Sequence, residues 1–171
     1  MNVIDLFCGC GGFSKGFEQA GFDVRLGLDV WHDATVTYQH NFPKAKIMTD
    51  DITTLTGDDL LKAANLSASE VDVIIGGPPC QGFSLSGKRI LEDPRNVLYK
   101  SFVRMVETIQ PKAFVMENVP GLTKLFGGQV KEQVIENFSA IGYDVKVQEL
   151  VACDYGVPQA RHRVFFVGLN K

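Results

Sequence analysis

Cysteine is scarce in this chain, positive charge is in deficit and long apolar runs are missing, and each shortage removes a class of protein. The four cysteines among 171 residues fall at positions 8, 10, 80 and 153 without a C-x-x-C pair. Neither a zinc cluster nor a disulfide framework is expected, and reduced thiols in a cytosolic setting fit best. Nothing approaches the roughly 18 consecutive apolar residues of a membrane span. The opening M-N-V-I-D-L-F enters a strand pattern without a basic flank, so no export signal is expected either. Lys and Arg total 17 against 20 Asp and Glu, a net charge of -3 with a pI near 5.6, which gives a chain working unaided a weak grip on a polyanion. Internal repeats and low-complexity tracts are absent, which sets aside repeat arrays.

What is present is apolar side chain, 45% of the residues, enough for one core and one domain over residues 1–171. Strands are expected at 3–7, 24–28, 46–48, 71–75, 113–116, 144–151 and 164–169, and helices at 13–20, 32–41, 55–66, 98–109 and 129–141. The first helix sets Phe13, Phe17 and Ala20 on one face, with Ser14 as its expected cap and Gly21 as its stop. This alternation implies an α/β fold, a doubly wound and mostly parallel sheet with helices on both faces.

Residues 71–84, V-D-V-I-I-G-G-P-P-C-Q-G-F-S, organise the rest. Val71, Val73, Ile74 and Ile75 have the composition of a strand buried on both faces, and Gly76-Gly77-Pro78-Pro79 ends it. Cys80 then stands on a proline-stiffened turn at the carboxyl end of a central strand, where open α/β sheets place ligand chemistry. A small buried hydrophobe is the ordinary role of a cysteine. The polar or bare neighbours Gln81, Gly82 and Ser84 offer little to bury it against, and partial exposure is what a reactive thiol needs. The 84–96 segment has no sustained period and carries Lys88, Arg89 and Arg95, as a loop closing over nucleic acid would, or as a merely solvated loop would.

Other strand ends carry candidates of their own. Cys8-Gly9-Cys10-Gly11-Gly12 joins a strand to a helix and lets the backbone pass close to a ligand. Its spacing is not that of dinucleotide sites, because Ser14 stands where the third glycine of G-x-G-x-x-G would be. Asp29 ends the second strand, where a carboxylate can accept both ribose hydroxyls of a nucleoside or simply be solvated. Trp31 offers an adenine ring a flat apolar surface, or belongs to the core. Glu117 follows four apolar residues, so little water and a raised pKa are expected, with a proton to give near neutrality; a surface acid past the strand is the alternative. Gln159, Arg161 and Arg163 alternate and can share one face of an extended segment, as substrate ligands or as edge-strand solubility charges.

These stretches, in this order, resemble the DNA (cytosine-5)-methyltransferases: D-L-F-C-G-C-G-G at 5–12, G-P-P-C-Q-G-F-S at 77–84, E-N-V at 117–119 and Q-A-R-H-R at 159–163, a likeness running from about residue 3 to 168. The resemblance implies Cys80 as the nucleophile, Glu117 as the acid at ring nitrogen 3, and Arg163 with Arg161 on the exocyclic oxygen. It places Gln81, Ser84, Asn118 and Gln159 against the substrate. It implies S-adenosylmethionine as cofactor over Phe7, Gly9, Gly11 and Gly12, with Asp29 on its ribose, Val30, Trp31, Asp51 and Ile52 about its adenine, and Pro78 and Leu98 completing the site. A Rossmann-like methyltransferase fold ending in an antiparallel hairpin, duplex DNA with its target base flipped out, and a prokaryotic cytosol follow from the same likeness. An RNA (tRNA) cytosine methyltransferase would share every catalytic residue. A non-catalytic cofactor-binding subunit and, more remotely, a small-molecule enzyme with a redox cysteine are the other readings. After Gly168 the sequence stops at Lys171, short of the family's target recognition region and its two closing motifs. The expectation is a chain inactive alone, a split subunit or a fragment, completed by a second polypeptide.

Overall fold

The computed structural model describes residues 1–79 and 96–171. Within them β1 (Asn2–Leu6), β2 (Asp23–Asp29), β3 (Lys46–Thr49), β4 (Val71–Gly76), β5 (Ala113–Asn118), β6 (Tyr143–Val151) and β7 (His162–Asn170) form one sheet in the order β3-β2-β1-β4-β5-β7-β6. The first five strands run parallel, and β7 lies antiparallel between β5 and β6. The helices are α1 (Gly12–Gln19), α2 (His32–Asn41), α3 (Gly57–Ala64), α4 (Val97–Ile109), α5 (Gly121–Lys124) and α6 (Gln129–Ala140). None is long and apolar enough to cross a membrane among the described residues.

Period-two alternation divides each strand between two faces. Ile4, Leu6, Ile74, Phe114 and Phe166 face α3, α4 and α6 and make the larger core. Phe114 stacks on Phe138 of α6, ring centroids 4.0 Å apart, and Gly168 on β7 leaves the room: a side chain there would collide with the Phe114 ring. Val3, Val73 and Ile75 face the other way, against Phe13 and Phe17 of α1. On that face β7 presents Phe165, which meets Phe13 edge-on at 6.1 Å, and then Val167 and Leu169, 37% and 58% exposed.

Local chemistry explains where the elements depart from the expected boundaries. Thr56 and Asp59 form a reciprocal capping box, so α3 begins at Gly57 instead of Leu55. Ser14 does not cap α1. Gly11 holds the cap position, while Ser14 lies fully buried and bonded to Asp5 and Tyr38. Ala20 follows the last residue of α1 and is exposed. Glu117 lies within β5, opposite Phe165 of β7, not beyond the strand. The single turn α5 and the 3-10 turn Leu125–Gly128 carry no apolar period long enough to show in sequence.

Candidate active site

β1 and β4 are neighbours at the middle of the sheet, and the chain leaves them toward opposite edges, which opens a crevice at their carboxyl ends. Two residues stand in that crevice. Phe7 follows β1 with φ at 62°, a left-handed conformation that is costly for a bulky side chain and is held by its surroundings. Gly77 follows β4. Both line the cleft on either side of them, so they form a common wall.

The first cleft, about 440 Å³, is acidic at its rim and apolar at its base. Asp29, Asp50 and Asp51 face it, with Leu28, Ile52 and Leu98 beneath. Asp29 is a tie as well as a lining group: Oδ2 accepts the Gly9 amide at 2.9 Å and Oδ1 accepts the Trp31 amide at 3.0 Å, joining the glycine turn to the start of α2. The amide and side chain of Thr53 hold the Asp51 carboxyl below the usual carboxylate range. Of the residues that sequence assigned to a cofactor, Phe7, Asp29, Val30, Asp51, Ile52 and Leu98 meet here. Pro78 does not. It is buried, with its carbonyl accepting the Asn118 side-chain amide at 3.0 Å, and Gly77 and Pro79 line the cleft in its place. Trp31 caps α2 beside the cleft and is 66% exposed, while Gly9 and Gly11 shape the turn without lining either space.

The second cleft, about 550 Å³, is basic. Glu117 lies at its floor, its Oε1 2.7 Å from Arg163 Nε and 3.7 Å from Arg161 Nη2. The sequence suggests a carboxyl with little water; the structure gives one that is 24% exposed and paired with two guanidinium groups. Gly12 of the glycine turn lines this cleft. Asn118 is buried, with Nδ2 on Pro78 and Oδ1 accepting the Val119 amide, so it braces the end of β4 against β5. Gln159 lies exposed in the loop before β7, outside the lining, and residues 156–161 turn where an extended segment was expected. Cys80, Gln81 and Ser84 lie outside the described residues. Tyr155 escaped sequence reasoning: it faces the same cleft from the turn closed by Gly156 at φ 85°, and its one signal was an aromatic beside a glycine in the loop that carries the arginines.

The acidic cleft suits a ligand with a flat apolar ring, a sugar and positive charge, because apolar side chains and three carboxylates are what it offers. Sheet order and paired clefts together define the S-adenosylmethionine-dependent methyltransferase class. A likeness to Spodoptera frugiperda DNMT2, 24% identical with a TM-score of 0.76 over 99% of this chain and 50% of that one, shows the fold alone. The family model for C-5 cytosine-specific DNA methylase matches residues 1–171, and the chain belongs to that family. Type II methyltransferase M.DdeI of Desulfomicrobium norvegicum is 54% identical over 175 residues, 99% of this chain and 41% of the relative. A prophage-encoded E. coli protein, assigned as a DNA modification methyltransferase, is 37% identical with a TM-score of 0.84 over 99% of this chain and 47% of that one. The chain thus spans under half the length of these two proteins.

Proposed function

We propose that this chain carries the reacting half of an enzyme that moves a methyl group from S-adenosylmethionine to carbon 5 of cytosine in DNA, through a transient bond to Cys80. The observation that supports this most is the pair of clefts across one thin wall, with the Glu117–Arg163 pair on one side and Asp29 on the other.

Carbon 5 of an aromatic cytosine is barely nucleophilic, and a thiolate adding at carbon 6 turns the ring into an enamine-like nucleophile. Cys80, which follows directly on the cleft residue Pro79, supplies that thiolate. Glu117, oriented by Arg163, binds and protonates ring nitrogen 3 and so takes up the charge pushed into the ring; Arg161 and Arg163 hold the exocyclic oxygen. When bound, S-adenosylmethionine supplies an electrophilic methyl group on a cationic sulfur. Asp29 would hold its ribose, and Phe7, Ile52 and Leu98 its adenine. The carbon-5 proton then leaves to water, cleavage of the Cys80–carbon-6 bond returns the thiolate, and the proton on ring nitrogen 3 goes back to Glu117. A stacked base hides carbon 6, so the cytosine swings out of the duplex into the basic cleft.

Sequence-specific reading of DNA is assigned to a second polypeptide bearing the target recognition region and closing motifs. Two features support this: the net charge of -3 and the exposed apolar residues Val167 and Leu169 on the thinly covered sheet face. The test is a trap. Duplex DNA carrying 5-fluorocytosine, incubated with cofactor, chain and complementing polypeptide, should leave a covalent adduct on Cys80 and none with Cys80→Ser, because fluorine cannot leave as a proton does. An adduct mapped by mass spectrometry to Cys8, Cys10 or Cys153, or transfer to tRNA in preference to duplex DNA, would refute the reading.

A further inference from the structure

Behind the glycine turn lies a buried chain of three polar side chains that the proposed reaction does not use. Asp5 on β1 is 1% exposed, and its Oδ2 lies 2.6 Å from Ser14 Oγ of α1, which lies 2.7 Å from the Tyr38 hydroxyl of α2. Ser14 and Tyr38 are wholly buried. The surroundings are cut to fit the tyrosine. A side chain at Gly11 would run into Phe42 and come within 3.0 Å of Tyr38, and one at Gly27 would stand 2.6 Å from Tyr38 Cζ. Tyr38 is therefore wedged between the turn and β2, both of which lack a Cβ where it passes. The Gly11 cap gives α1 no side-chain acceptor. Asp5 takes that part from the adjacent strand: it accepts the Ser14 hydroxyl, and the Ser14 backbone amide also favours its ionised form.

The second oxygen of Asp5, Oδ1, has no hydrogen-bond partner among the described residues. An ionised carboxylate with one bare oxygen in a sealed site is costly, so the neutral form is favoured. Burial pushes the Asp5 carboxyl from 3.8 up to about 7, opposed by the Ser14 bonds and aided by the charge of Asp29. Beside the charged Asp29, the Cys8 thiol and the Tyr38 phenol stay neutral while Asp5 titrates: burial, with Asp5 next in order, raises both, and Asp29 and Cys10 add to the first, Cys8 and Glu18 to the second. When Asp5 is neutral, its proton is donated to Ser14 Oγ, whose own proton goes to Tyr38. When Asp5 is ionised, both bonds reverse: Tyr38 donates to Ser14, and Ser14 donates its hydroxyl to a carboxylate whose charge the Ser14 amide also favours. Only the ionised carboxylate is a full cap for α1 and the turn before it.

We propose that Asp5, Ser14 and Tyr38 together position the Gly9–Gly12 turn, that Tyr38 is thereby a positioning residue for the methyl donor, and that ionisation of this chain tightens donor binding. The inference rests on the reading that the turn borders the donor site, which Asp29 supports by holding Gly9 and lining the cleft at once. Two pH dependences of opposite sign separate positioning from a merely structural role. Because the folded-state pKa is raised, the stability owed to Asp5 is fully present below about 4 and is lost as pH rises through about 7. Affinity for S-adenosylmethionine should instead rise, by about fivefold between pH 6 and 8, the worth of roughly one hydrogen bond. Calorimetry and urea titration of the full chain read both. Asp5→Asn should flatten both profiles. Tyr38→Phe, which keeps the wedge, should weaken donor binding about fivefold and speed amide hydrogen exchange at residues 9–14, measured without ligand. Affinity falling with pH in step with stability, a wild-type profile in Asp5→Asn, or unchanged exchange in Tyr38→Phe would each overturn the proposal. If exchange responds as expected but no donor binds at any pH, the turn is positioned as described and it is the donor-site reading that falls.

Discussion

On one side of the Phe7–Gly77 wall three carboxylates, Asp29, Asp50 and Asp51, face the space; on the other, two guanidinium groups close on the single carboxylate of Glu117. The backbones that present these groups differ as much as their charges. The acidic side is assembled from the ends of β2 and β3, and its key carboxylate is fixed by main-chain amides two and 20 residues away. The basic side is assembled by β7 running antiparallel beside β5, so that Arg163 reaches across to Glu117 at 2.7 Å. An acidic cleft made of turns at strand ends and a basic cleft made of strand pairing can change separately. Affinity for the donor and rate of transfer should therefore respond to different residues.

The sharpest break in that separation is sought at Glu117. Glu117→Gln keeps the shape and loses the group that can exchange a proton, and should lower methyl transfer by roughly 10² to 10⁴, the range for a general acid, while calorimetric S-adenosylmethionine binding stays within about twofold of wild type. Loss of donor binding in this variant would show that the wall does not divide the two roles. The converse probe is Asp29→Ala. It removes the acceptor of the Gly9 amide along with a lining carboxylate, and donor affinity should fall about 10- to 100-fold, as for charged hydrogen bonds worth roughly 1.5 to 3 kcal/mol. Transfer at saturating donor should remain near wild type. A rate that falls as far as the affinity would join the clefts into one site.

Much of this division is legible in sequence where the signal is local. The run V-D-V-I-I stopping at glycine and proline, and the aspartate ending V-R-L-G-L-D, mark strand ends whose neighbours in space are fixed by the parallel order. What sequence does not carry is register between distant strands. That Arg161 and Arg163 both reach Glu117 depends on Glu117 pairing with Phe165 across the sheet, and nothing in Q-A-R-H-R announces it. Ser14 departs from the expected cap for a related reason: a serine early in a helix is an ordinary cap by local rule, whereas its partners Asp5 and Tyr38 arrive from a strand and another helix. Pro78 and Asn118 follow the same pattern, a motif pair whose hydrogen bond braces two strands and turns both groups away from the cleft surface.

The smallest effect is expected at the wall itself, and it is the most discriminating. Gly77 borders both clefts, and a Cβ there would lie 3.3 Å from Glu117 Oε2 and 3.8 Å from the Glu117 carbonyl oxygen. The first distance is too short for comfortable contact, so in Gly77→Ala the carboxylate must give by a few tenths of an ångström. It is not free to do so, because Oε1 is held by Arg163 at 2.7 Å, and the strain falls on that bond. Losing part of one charged hydrogen bond amounts to about 1 kcal/mol, or roughly fivefold in rate. On the acidic side the added methyl meets no atom of the described residues within 4 Å, so donor affinity should hold. Single-turnover rates and donor titrations on the same preparation separate the two. A fivefold slower transfer with unchanged donor binding would place the sensitivity of the wall on the Glu117 side, whereas weakened donor binding at an unchanged rate would mean that the wall is thinner toward Asp29 than its geometry allows.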